Sequence, residues 1–119
     1  MITERKIFVT FQKEGIHRYP DAPKGVEFLK NPHRHMFHFR VEISVFDNDR
    51  DIEFILFKRE LELVYGDKTL TLDDKSCETI AEELIRYVKS KYPCRTMTVE
   101  VSEDGENGAV LSYDWRQPY

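Results

Sequence analysis

Alternating hydrophobic and polar residues predict four β-strands. They span residues 6–12, 35–46, 96–103 and 109–113. Successive side chains of a strand point to opposite faces, so each of these segments can bury one row of apolar side chains. The segment Asp104-Gly105-Glu106-Asn107-Gly108 has the composition of a hairpin turn and is expected to join the last two strands.

A helical period of apolar residues lies between the second and third strands. The apolar side chains from Ser76 to Lys91 form one stripe of Cys77, Ile80, Ala81, Leu84, Ile85 and Val88. Ser76 can cap the start of this helix, and Pro93 follows its end. The segment Ile52–Tyr65 fits a helix in its first half and a strand in its second half, so its structure stays open.

The order of these elements predicts an α+β fold for one domain of residues 1–119. We expect a four-stranded antiparallel sheet, with the helical insert between strands two and three packed on one face. Residues 15–32 contain three prolines and are expected to form a long loop, which is uncommon unless it is functional. The two open edges of so small a sheet favour oligomerisation.

Amino-acid composition limits the classes of protein to which the chain can belong. Hydrophobic residues make up 40% and charged residues 34% of the 119 residues, as in a globular protein. No apolar run approaches the roughly 20 residues that span a membrane, and the first six residues lack an apolar signal core. Cys77 and Cys94 fit no disulfide framework, so we expect a reduced, cytoplasmic protein.

Charge is distributed unevenly along the chain. The net charge of −4 argues against general nucleic-acid binding. Between Lys13 and Arg40, however, six basic residues face three acidic ones, and all four histidines occur there. This basic segment would suit an anionic substrate such as a phosphate ester, although a solvated surface explains it equally well.

Histidines stand at the head of an apolar row. On the odd positions from 33 to 45, His33 and His35 precede five apolar side chains, and His17 lies sixteen residues upstream of His33. A metal site needs neighbouring nitrogens on a rigid element, and this pattern supplies two of them. Glu103 ends the inward row of the third strand, where a carboxylate is costly unless it is paired. A ligand with two N–H donors, such as a pterin or guanine edge, would pair with it.

Four stretches in chain order resemble motifs of one enzyme family. They are Phe11–Pro20, the His-x-His strand His33–Ser44, the helix start Ser76–Ala81, and Val99–Glu103 with Gly108. The family is that of 6-pyruvoyl-tetrahydropterin synthase and 6-carboxytetrahydropterin synthase, whose fold is the T-fold. The resemblance spans most of the chain and suggests a divergent, shortened member.

The resemblance implies a zinc site formed by His17, His33 and His35, with Glu103 as the anchor of a pterin. Three imidazoles and an open fourth position are typical of catalytic zinc. The expected substrate is dihydroneopterin triphosphate or a related reduced pterin. Trimers or hexamers whose joined sheets form a barrel, with sites between subunits, are also implied.

The chain departs from the family in its acid–base residues. The position of the family's catalytic cysteine is Leu29, and no histidine follows His38 to serve as the second catalytic histidine. Glu27 is the local candidate for a catalytic base, although its spacing differs from the family's. A non-catalytic relative that binds a pterin or a guanine-type nucleotide is therefore the alternative. A structural oligomer that binds nothing is a third possibility.

Overall fold

A computed structural model describes residues 1–118 as five strands, two helices and one short 3₁₀ turn. In chain order these are β1 (Lys6–His17), the 3₁₀ turn (Glu27–Lys30), β2 (His33–Ser44), α1 (Phe54–Tyr65), β3 (Leu70–Asp73), α2 (Cys77–Lys91), β4 (Met97–Glu103) and β5 (Asn107–Tyr113). The predicted α+β class is confirmed, and the predicted helix over residues 76–91 is present with Ser76 as its cap.

The sheet has five strands in the order β3-β1-β2-β4-β5, one more than the sequence predicted. β3 pairs in parallel with the end of β1, and the other pairings are antiparallel. The additional strand has only four residues, with Leu72 buried and Leu70 partly buried. So short an alternation, placed between two helices, is a weak signal in the sequence.

β1 is longer than its hydrophobic alternation indicated. It was expected to end near Gln12, yet it pairs with β2 continuously from Lys6↔Ser44 to His17↔His33. The loop therefore covers residues 18–32, not 15–32. Since β3 joins the other edge of β1 at Gly15, the end of this strand is paired on both sides and holds His17 in the sheet.

The ambiguous segment Ile52–Tyr65 contains helix α1. The Glu53 carboxylate caps its first turn by accepting the backbone N–H groups of Ile55 and Leu56. Phe57 and Leu61, one turn apart, are fully buried against the sheet. These tertiary contacts favour the helical period over the strand-like alternation of the second half.

One hydrophobic core lies between the sheet and the two helices. The inward row of β2 is buried as predicted, with Phe37, Phe39, Val41 and Ile43 at 0–2% exposure. The predicted inward row of β4 packs beside it. Within residues 1–118, no helix combines the length and apolar character that a membrane crossing requires.

Candidate metal centre

The candidate site lies where the apolar rows of three strands end, on the helix-covered face of the sheet. His17 of β1 is paired directly with His33 of β2, so both side chains lie on the same face. His35 follows on that face, and Glu103 of β4 is paired with Phe37 one step further along β2. Three neighbouring strands thus bring residues distant in the sequence to one end of the core.

Gly15 makes room for this arrangement. It is the β1 partner of His35, and a Cβ atom at this position would lie 2.7 Å from Leu72 and 3.0 Å from the Phe37 ring. A side chain here would push against the core side chains that border the histidines. The absence of a side chain therefore lets β3 and Phe37 pack closely beneath the site.

The predicted residues His17, His33, His35 and Glu103 form one compact cluster. One ligand atom from each of the four lies within 4.8 Å of the others. The Glu103 Oε2 atom is 3.0 Å from His35 Nε2 and 3.5 Å from His17 Nε2. The structure thus brings together the three predicted zinc ligands and the predicted substrate anchor.

The Nδ1 atom of every histidine in the cluster has an oxygen partner. His17 Nδ1 lies 3.0 Å from the Lys75 carbonyl, and His33 Nδ1 lies 2.8 Å from the Asn31 carbonyl. His35 Nδ1 lies 2.7 Å from the Asp104 carboxylate. Carbonyl oxygens only accept hydrogen bonds, so in the neutral rings of His17 and His33 the proton is on Nδ1 and Nε2 has the lone pair.

The opposite ring nitrogens of His17 and His35 point toward the Glu103 carboxylate without a hydrogen bond. The Nε2 atoms of His17 and His35 are buried and have no hydrogen-bond partner among residues 1–118. Unpaired buried polar atoms are costly and call for an explanation such as a bound ion. The donor set, three imidazole nitrogens and a carboxylate oxygen, is one that zinc prefers, so the residues present fit a metal ion.

A cavity of about 510 Å³ opens beside the cluster. Its walls include His17, His33, Glu103, Tyr19, Leu29 and Cys77. The side chain at the position of the family's catalytic cysteine therefore faces the cavity, but it is leucine.

The structure does not bring Glu27 to this cavity. Its carboxylate is exposed and accepts the backbone N–H of Gly25 within its own turn, at 3.0 Å. Backbone hydrogen bonds in this turn lower the pKa of Glu27, which makes it a weaker base. The geometry thus offers no support for Glu27 as the catalytic base.

Cys77, at the first turn of α2, is the thiol that lines the cavity. Burial raises the pKa of Cys77 to about 11, and the negative charges of Glu103 and Glu78 add to this shift. The side chain is therefore a neutral thiol at physiological pH and not a nucleophilic thiolate.

Sequence reasoning missed Asp104. Its carboxylate accepts from His35 Nδ1 and from the Met36 N–H, and the hydrogen bond from His35 is the main cause of its lowered pKa. Asp104 has φ 59° and Gly105 has φ 73°, as in the tight hairpin turns that favour Asp-Gly. The Asp-Gly pair marked the turn in the sequence, but nothing there revealed that the aspartate reaches back to a histidine.

The fold and the donor set define an α+β protein with a candidate metal centre at one end of its sheet. The structure matches that of 6-pyruvoyl tetrahydropterin synthase from Plasmodium falciparum with a TM-score of 0.59 and 14% sequence identity. The match covers 92% of this chain and 98% of the synthase chain. The resemblance read from the sequence motifs is thus confirmed as a shared fold.

Sequence comparisons add nothing to this structural match. No protein-family model matches the chain, and no curated protein sequence matches it.

Proposed function

We propose that the protein binds zinc through His17, His33 and His35 and converts a reduced pterin, as 6-pyruvoyl-tetrahydropterin and 6-carboxytetrahydropterin synthases do. One observation carries this proposal. The Nδ1 atom of each imidazole is held by an oxygen partner, and one ligand atom from each histidine and from Glu103 lies within 4.8 Å of the others. Such outer partners fix the orientation and tautomer of metal-binding histidines. The shared fold with a pterin synthase supports the substrate class.

Bound zinc would act as a Lewis acid on a substrate oxygen beside the cavity. Hydrogen bonds within the chain position the histidines that would hold the ion. His17 and His33 are fixed on neighbouring strands by their ring hydrogen bonds to Lys75 and Asn31, so little reorganisation is needed when an ion binds. Leu29 contributes an apolar wall to the cavity beside the cluster.

Glu103 is proposed to hold the pterin through its ring and amino N–H groups. The carboxylate lines the cavity and lies next to two Nε2 atoms, so it faces both the ligand space and the metal position. Together with the three histidines, it would also be able to hold the ion when no pterin is bound.

The open sheet edges support assembly into trimers or hexamers. β5 is an edge strand, and the Lys6–Glu14 part of β1 pairs with β2 alone. Pairing of these edges between copies would satisfy the backbone groups that the isolated chain leaves open.

A second candidate function is binding without catalysis. It is favoured by Leu29, which cannot transfer a proton at the cavity wall, and by Glu27, whose exposed carboxylate is held in its own turn away from the cavity. In this case the protein would bind a pterin or a guanine-type nucleotide at Glu103 and release it unchanged.

The test is to incubate zinc-loaded protein with dihydroneopterin triphosphate and follow both binding and product. Enzymatic function predicts saturable binding and a new pterin product in liquid chromatography. Binding without product would support the second candidate. Glu103→Ala is expected to abolish binding, whereas Glu106→Ala, in the same hairpin with an exposed side chain, is expected to leave it intact. Zinc-loaded protein that binds neither pterins nor guanine nucleotides would overturn the proposal.

A further inference from the structure

Helix α1 carries an apolar stripe on its outer side. Phe57 and Leu61 fill the core, but Leu56 and Leu63 are 62% and 79% exposed. Residues 56, 59, 60 and 63 have the i, i+3, i+4, i+7 spacing of one helix face. The stripe therefore places a leucine at each end and a charged pair in the middle.

The stripe borders a groove on the surface. Leu56, Leu63 and Val64 line it together with Tyr87 of α2, and its volume is about 570 Å³. Ile55 is half-exposed next to the stripe. Exposed apolar side chains that line one groove mark an interaction surface, because leaving them in water is costly.

The two charges at the centre lack partners of opposite charge. Arg59 is exposed and has no hydrogen-bond or ion-pair partner in the described part of the chain. The Glu60 carboxylate is fixed by the hydroxyl groups of Tyr87 and Tyr92, at 2.9 and 2.6 Å. No cation pairs with it among residues 1–118. The helix thus presents a free cation beside an oriented anion.

We propose that this face binds the same face of a second copy, with the two α1 helices antiparallel. A two-fold axis between positions 59 and 60 places Leu56 of one copy against Leu63 of the other. The same axis pairs Ile55 with Val64 and Arg59 with Glu60. Apolar residues meet apolar residues, and each cation meets an anion, so the stripe is complementary to itself.

The antiparallel direction is set by the charges. A parallel pair in register would place Arg59 against Arg59 and leave both Glu60 carboxylates without a cation. The interface uses neither the sheet edges nor any residue of the metal centre. It can therefore join copies whether or not the sheet edges also pair, and it does not depend on the proposed function.

Sedimentation velocity tests this interface. The double variant Leu56→Glu and Leu63→Glu is expected to halve the number of copies in the wild-type assembly while keeping the circular dichroism spectrum of the fold. Arg59→Glu is expected to raise the dissociation constant of this step at least tenfold. Lys58→Glu makes the same charge change on the flank of the same helix and is expected to leave the assembly unchanged. An assembly unaltered in the double variant, or a wild-type monomer at all concentrations, would overturn the proposal.

Cross-linking tests the antiparallel register. In a Cys94→Ser background, which removes the exposed native thiol, a mixture of the Leu56→Cys and Leu63→Cys proteins is expected to form covalent dimers on mild oxidation. Each variant alone is expected to remain largely uncross-linked. Efficient cross-linking of Leu56→Cys with itself would contradict the register.

Discussion

Each histidine of the candidate metal centre is oriented by a different part of the chain. The loop before β2 provides the Asn31 carbonyl, the loop before α2 provides the Lys75 carbonyl, and the β4–β5 turn provides the Asp104 carboxylate. Each partner fixes one ring, so the site is preorganised by three separate segments. Asp104 is the only charged partner of the three, and a carboxylate raises the basicity of the histidine that it accepts from.

Replacement of Asp104 by asparagine is predicted to weaken zinc binding. The amide can keep the positive φ of the turn, but its NH₂ group cannot accept from His35 Nδ1 when its oxygen faces the Met36 N–H. We expect a loss of affinity of about 10- to 100-fold, which is typical of outer partners of metal ligands. Competition with a chromophoric zinc chelator measures it.

The control for this variant is Glu106→Gln, which removes an exposed carboxylate from the same turn. It is expected to bind zinc as the wild type does. If Asp104→Asn also retains wild-type affinity, Asp104 does not orient the metal ligand.

At the level of secondary structure, the sequence predicted those elements whose periodicity is long. In β2 the alternation of apolar and polar residues repeats over three or more residue pairs, and in α2 the apolar stripe repeats over three or more helical turns. Patterns of this length can be recognised in the sequence. The His-x-His spacing then placed two donors on one face. The sequence did not predict β3 or the end of β1, because these two segments pair through a tertiary contact that no local sequence pattern indicates.

The same limit applies to the candidate site. The three histidines and Glu103 followed from strand parity and from the resemblance to a family, and the structure places them together. Asp104 and the orienting carbonyls of Asn31 and Lys75 depend on loop conformation, which the residue types alone do not specify. Glu27 is close in sequence to Leu29, but its turn directs the carboxylate to the backbone N–H of Gly25.

An ion pair between Asp51 and Arg95 links the β2–α1 connection to the start of β4. The Asp51 carboxylate accepts from Arg95 at 2.6 Å and from the Phe46 N–H at 2.9 Å. Arg95 also lies over the Phe46 ring, 4.0 Å from its centre. The hydrogen bonds from Arg95 and from the Phe46 N–H lower the pKa of Asp51, so the folded state favours its ionised form.

Replacement of Asp51 by asparagine is predicted to lower stability at neutral pH by up to about 1 kcal/mol. Because the pKa is lower in the folded than in the unfolded chain, this stabilisation is present at neutral pH. It is lost as the pH falls below about 4, where the wild-type carboxylate takes up a proton. Urea unfolding between pH 3 and pH 7 should therefore show the two proteins converging in acid.

Asp49→Asn is the matched control, because Asp49 and its partner Arg50 are both highly exposed. It is expected to match the wild type across this range. A stability difference for Asp51→Asn that is constant with pH would mean that the ionised pair is not its origin.

For the whole molecule, the central proposal is that the end of the sheet binds a metal ion. The core is complete without it, since the apolar rows are buried up to Phe37 and Val101. At the end of these rows, the buried Nε2 atoms of His17 and His35 lie near the Glu103 carboxylate but make no hydrogen bond. A bound metal ion would pair with these nitrogens and would supply a Lewis acid to a substrate in the adjoining cavity.

Metal content per chain tests this claim most directly. Protein purified without chelators or nickel affinity resin is predicted to contain close to one zinc per chain by plasma mass spectrometry. The variant with His33→Ala and His35→Ala is predicted to contain almost none while remaining folded. A wild-type protein that stays free of metal after zinc is offered, or a double variant that keeps one zinc per chain, would contradict the account.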